Sequence, residues 1–110
     1  MSGAPPVNSV VGDALAALRA EYLAHLPELL AELALLVARG ATDVEARERA
    51  RVAAHRLRGT AGSYGFEAAG ELAGRIEDTL DEGAAVPAEL LRSLEALVSH
   101  PAARSPESAQ

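Results

Sequence analysis

One stretch of the chain departs from what a helix needs in order to fold. It reads Arg51, Val52, Ala53, Ala54, His55, Arg56, Leu57, Arg58, Gly59, Thr60, Ala61, Gly62. Each of the two glycines costs a helix roughly 0.8–1 kcal/mol relative to alanine, a residue this chain uses 25 times. Something should repay that cost. At about 100° per residue His55 lies about 160° from Leu57, so a core-facing Leu57 turns His55 to solvent. Its same-face neighbours are Arg51, Val52, Arg58 and Gly59, with Gly62 one turn further. An imidazole of pKa about 6.5 is largely neutral near pH 7 and nucleophilic without a dedicated base, and two adjacent guanidinium groups favour that neutral form. Beside it runs a strip cleared of side chains. The combination suits an anion and a partner that approaches closely.

The elements that must position these residues follow from hydrophobic period and punctuation. Leu15, Leu18, Tyr22, Leu26, Leu29, Leu30, Leu33, Leu36 and Val37 trace an amphipathic helix that stops at Gly40. Pro27 interrupts it and predicts either a kink or a separate short N-terminal helix, with Pro27 in the first turn of the next. Thr42 and Glu45 have the spacing of a capping box and open the arginine-rich helix, whose inward stripe is Ala50, Ala53, Ala54, Leu57 and Ala61. That helix should end near residues 63–65. Phe66, Ala69, Leu72, Ala73, Ile76 and Leu80 mark a third helix ended by Asp81, Glu82 and Gly83. Pro87, suited to a first helical position, opens a fourth, with Leu90, Leu91, Leu94, Leu97 and Val98 inward. Short loops force antiparallel neighbours, so the expected fold is an all-α, up-down four-helix bundle. The folded part should span about 10–100 as one domain, with residues 1–8 and 101–110 as solvated tails.

Composition excludes several classes. With 49% hydrophobic and 24% charged residues the chain should fold, and 16 leucines beside the alanines, against three aromatic residues, favour helices over strands. It has no cysteine, hence no disulfide, thiolate metal site or cysteine nucleophile. The longest apolar run, Leu33 to Ala38, is too short for a membrane span, and the first eight residues lack a secretory pattern, so a cytoplasmic protein is expected. The net charge of -6 argues against nucleic acid or an anionic membrane as the main partner. Charge is unevenly spread: residues 44–66 carry five arginines and two glutamates in an otherwise acidic protein.

Other candidates are weaker. His25 and His100 show no metal-ligand spacing, and Ser9, Ser63, Ser93 and Ser99 no nucleophile context. Gly70 and Gly74 read as close helix packing, and Tyr64 and Phe66 as core.

His55, Leu57, Arg58, Gly59, Ala61, Gly62 and Gly65 resemble the H-x-L-K-G-x-A-x-x-x-G signature of histidine phosphotransfer (HPt) domains. The resemblance extends over nearly the whole expected fold, through Ala53, Ala54, the Gly65-Phe66 turn and the Ile76-Glu77 helix. It implies a phosphocarrier in a two-component phosphorelay. His55 would accept a phosphoryl group from a receiver's aspartyl phosphate, or from a kinase, and pass it to another receiver. Arg58 and Arg51 would steady the phosphoryl oxygens, and Gly59, Gly62 and Val52 would face the partner. Arg58 stands where the family usually has lysine, in a chain without any lysine. Magnesium would come from the receiver, leaving this chain with no cofactor or metal of its own. It would be no enzyme in the usual sense, and a monomer.

Two rival readings differ in class. A histidine-kinase dimerisation motif, H-E-[LF]-[RK]-[TN]-P, is contradicted by Arg56 and Thr60, and 110 residues leave no room for a nucleotide-binding domain. An HPt-fold interaction module that binds a kinase or receiver without phosphorylation would not need His55 or its glycines.

Overall fold

A computed structural model describes residues 7–103. Four helices follow in order: α1 (Val7–Gly40), α2 (Val44–Ser63), α3 (Glu67–Asp81) and α4 (Ala88–Ser99), with no strand among the described residues. α1 packs on α2 and α4, and α3 packs on the same two, so the helices close a ring in chain order. This is the all-α, up-down four-helix bundle that the periodicity predicts. Its centre is filled by Leu26, Leu30, Leu33, Leu57, Phe66, Leu72, Ile76, Leu94 and Leu97, with alanines of α2 and α3 between them. The small residues let α2 and α3 approach closely: a Cβ on Gly70 would stand 3.2 Å from the backbone nitrogen of Gly62 and 3.3 Å from the carbonyl oxygen of Arg58.

α1 is one continuous helix through Pro27, so the described residues hold no separate N-terminal helix. Proline removes one hydrogen bond at about 3 kcal/mol. Leu26, Leu30 and Leu33 are fully buried around it, and each contributes about 1.5–3 kcal/mol, enough to carry the helix across. The N-terminal part of α1 differs from expectation in another way. Leu15 and Leu18 are 58% and 46% exposed, as are Val10 and Val11 at about half. At about 1.5 Å per residue α1 is longer than any of its neighbours, and the α2–α3 turn meets it only from Arg19 onward. There Arg19 Nε donates to the Tyr64 carbonyl and its guanidinium lies 4.2 Å from the Phe66 ring centre. Leu29 is likewise 39% exposed, at the α1–α2 groove rather than inside it.

The caps correct two details. α2 is capped by Asp43 rather than Thr42: its carboxylate accepts from the backbone N–H of Glu45 (2.9 Å) and Ala46 (3.3 Å), which removes the expected capping box. Pro87 is the N-cap of α4, one residue outside the helix, and its carbonyl accepts from Leu90 and Leu91. α2 and α3 both end on glycines with positive φ, Gly65 at 83° and Gly83 at 75°. Behind them Phe66 N–H reaches the Ala61 carbonyl and Ala84 N–H the Thr79 carbonyl, the arrangement that lets a chain leave a helix sharply. The described segment starts in helix at Val7, so the N-terminal tail does not extend to residue 8; residues 1–6 and 104–110 lie outside the described residues. Pro101–Ala103 turn back on α1 beside Leu23.

Candidate functional site

α2 presents one face to the core through Ala46, Ala50, Ala54, Leu57 and Ala61, and the opposite face therefore carries His55. Its side chain is 70% exposed. Nδ1 lies 2.7 Å from Oε2 of Glu77, a residue of α3 that is itself only 7% exposed. A carboxylate only accepts, so in the neutral ring the proton resides on Nδ1 and the lone pair on Nε2. Helix packing thus selects the tautomer and turns the free nitrogen outward.

The second Glu77 oxygen, Oε1, accepts from Arg58 Nη1 at 3.3 Å, and the same nitrogen is 3.6 Å from Asp78. Glu77 is thereby shared between the imidazole and the guanidinium. Burial works to raise its pKa, but the hydrogen bonds from His55 and Arg58 outweigh that and hold it below the usual carboxylate range. Arg51 is differently placed. It is bound to Glu48 one turn back, at 2.6 Å, and approaches Asp81 at 3.9 Å. The sequence sets His55 between two guanidinium groups; in the structure its close charged partner is an acid 22 residues along the chain, and of the two arginines only Arg58 joins the same network.

The glycines fall where the spacing places them. A Cβ on Gly59 or on Gly62 would meet nothing within 4 Å, so this flank of His55 is open backbone. Val52 is 36% exposed and lines a shallow groove between α1 and α2 with Leu36, Ala53, Arg49, Arg56 and Glu32. Below Gly62, Tyr22 joins α1 to α2: its hydroxyl is 2.8 Å from that of Thr60, and its ring stacks on Tyr64 at 4.7 Å between centroids. Burial raises the Tyr22 pKa, against a smaller opposing effect of the Thr60 hydrogen bond. Among the described residues no group of three or more His, Cys, Asp or Glu could hold a metal, and no helix is long and apolar enough to cross a membrane.

The family model of the Hpt domain matches residues 17–102, which contain the whole bundle from the level of Arg19 and every residue of the His55 site. The chain belongs to the Hpt domain family. No curated protein and no solved structure matches it. An Hpt domain serves phosphotransfer in two-component signalling as a carrier rather than a kinase, with receiver domains and kinases as the partners of the family. The ten helical residues before Ala17 lie outside the family match.

Glu77 is the member of the His55 cluster that sequence spacing did not give. Its signal was available, because it is an acid inside the inward stripe of α3, one turn from both Ala73 and Leu80. An acid on an otherwise apolar face calls for a partner from a neighbouring helix.

Proposed function

We propose that this Hpt domain is a phosphocarrier and that His55 is its phosphoacceptor. The lone pair on Nε2 attacks phosphorus of an aspartyl phosphate on a receiver domain. An N–P bond forms, the P–O bond to the aspartate breaks, and the aspartate leaves as its carboxylate. The observation that carries this reading is the 2.7 Å contact between His55 Nδ1 and Glu77 on a side chain otherwise open to solvent. It holds the ring and fixes which nitrogen attacks.

Arg58 stands one turn along from His55 and supplies the positive charge that an incoming phosphoryl group needs. Gly59 and Gly62 leave room for the loops that surround the receiver's aspartate, while Val52 and Arg51 border the contact. The magnesium ion and carboxylates of the transfer belong to the receiver, and the chain needs no metal of its own. A sensor kinase, as the alternative donor, delivers to the same nitrogen, and a second receiver takes the phosphoryl group from it.

The test is label transfer from radiolabelled phospho-receivers to the wild-type chain and to His55→Ala, followed by exposure of the product to acid and to base. Acid-labile, base-stable label on the wild type alone is expected. Absence of label from a broad panel of receivers overturns the carrier reading in favour of a module that binds without being phosphorylated.

A further inference from the structure

Gly74 sits in the middle of α3, one turn before Glu77 and Asp78, and is buried. What covers it is a side chain rather than backbone. A Cβ placed there would stand 3.1 Å from Nε, 3.3 Å from Cδ and 3.4 Å from Cζ of Arg58. Gly70, one turn earlier, faces the α2 backbone instead. The two glycines therefore do different things: Gly70 lets two helices touch, while Gly74 lets a side chain cross a helix. The Arg58 side chain extends from α2 over the bare α3 backbone at Gly74, and its Nη1 arrives beside Glu77 and Asp78.

We infer that Gly74 is the seat of the Arg58 side chain and so a positioning residue for the cation beside His55. A guanidinium is planar through Nε, Cζ and both terminal nitrogens, and cannot bend around a methyl group placed against Nε and Cζ. The contact is tightest at Nε, 3.1 Å, and at Cδ, 3.3 Å, both of which lie in that rigid plane, and Cζ follows at 3.4 Å, the edge of ordinary contact. A lysine has no such plane; its ammonium sits at the end of a chain of rotatable bonds and can reach the same acids by another course. Gly74 thus accommodates the arginine that this chain carries where lysine is usual in the family. The functional consequence rests on the phosphoacceptor reading of His55, whereas the seat itself is independent of it.

A four-member set tests the inference: wild type, Gly74→Ala, Arg58→Lys and the double variant. The first readout needs no phosphorylation: nuclear Overhauser contacts between the Gly74 α-protons and the Arg58 side chain, and the position of the Arg58 Nε–H resonance. Contacts in the wild type, and displacement of the resonance in Gly74→Ala, are expected. The second is phosphorylation of His55 by phosphoramidate, a small donor whose own P–N bond breaks as ammonia departs. Gly74→Ala should slow it by about two- to fivefold, the scale of a partly exposed ion contact. In the Arg58→Lys background the same substitution should slow it no further. Melting temperature should not fall in either background, since alanine is the better helix former.

Equal slowing in both backgrounds, or a lower melting temperature in both, would assign Gly74 to helix packing and overturn the inference. Missing contacts in the wild type would overturn it directly. Correct contacts in a wild type that takes no phosphate from either phosphoramidate or receivers would leave the seat standing and sink the phosphoacceptor reading instead.

Discussion

Replacing Gly59 with leucine separates what the fold needs from what a docking partner needs. The position lies inside α2, four residues before its end, and a Cβ there meets nothing within 4 Å. Helix propensity is then the main folding term that changes, and it favours leucine by about 0.8 kcal/mol. For a domain of about 100 residues, that raises the melting temperature by about 3–6 °C. Gly70→Ala, by contrast, puts a methyl group 3.2 Å from the Gly62 nitrogen and 3.3 Å from the Arg58 carbonyl oxygen. Backbone cannot move aside cheaply, so this variant should lose about 1–2 kcal/mol despite its better propensity.

The functional effect runs the other way. A leucine at position 59 projects from the His55 face one turn along and holds a receiver's backbone away from the imidazole. Misplacement of reacting atoms by about 1 Å costs on the order of 10²-fold in rate, so transfer from a labelled phospho-receiver to Gly59→Leu should fall by about that factor. Direct phosphorylation by phosphoramidate, which needs far less room, should fall much less. The assay is the ratio of the two rates, beside a thermal melt. An unchanged ratio would refute the docking role of the glycine; a lowered melting temperature would refute the claim that the position is open.

Four further outcomes are expected. Glu77→Ala removes the acceptor that fixes the His55 tautomer and should slow phosphorylation by about tenfold, one charge-assisted hydrogen bond discounted for solvent exposure; a rate equal to wild type would refute that positioning. Arg58→Ala should shorten the phosphohistidine lifetime more than Arg51→Ala, because Arg51 is engaged with Glu48 and Asp81; equal effects would mean that only the general positive field matters. Asp43→Ala should lower the melting temperature by about 4–8 °C through loss of about 1 kcal/mol of capping, seen in a thermal melt, and no change would show the cap to be idle. Glu77 has a lowered pKa in the fold, so its contribution is complete above its unfolded value of about 4.3 and is lost as pH falls further; Glu77→Gln should flatten the acid limb of the stability curve below about pH 4.3, and an unaltered limb would count against the ion network.

The outward half of the site was legible in the sequence because helical geometry alone determines it. Once Leu57 is inside, His55, Arg51, Val52, Arg58, Gly59 and Gly62 must share the outer surface. The inward half was not, because it depends on how α3 rotates against α2. Glu77 and Gly74 gain their roles only when Gly70 brings the two helices together. The same distinction explains α1. Its period is helical throughout, and Leu15 and Leu18 repeat the inward spacing, but period says nothing of how far the partner helices extend. The stripe continues past the point where the α2–α3 turn leaves it uncovered. Thr42 and Glu45 satisfy a spacing rule, but the choice between adjacent cap candidates is made by backbone direction: Asp43, at φ -131° and ψ 112°, is the extended residue from which the helix departs.

On the phosphoacceptor reading of His55, the geometry around it lets a helix surface act as a carrier without a dedicated base. With the proton held on Nδ1 by Glu77, Nε2 would attack without first losing a proton. After transfer, the ring still carries its Nδ1 proton against the carboxylate 2.7 Å away. When the phosphoryl group moves on to the next aspartate, the leaving group is therefore neutral imidazole, and no acid has to protonate it. Forward and reverse steps use one protonation state, as microscopic reversibility requires of a site that both accepts and donates. Arg58 shares the same carboxylate, so its charge is partly answered before the phosphoryl group arrives. It can stabilise the bound group without holding it as tightly as a free cation would, and a carrier gains from that balance because it must release what it binds.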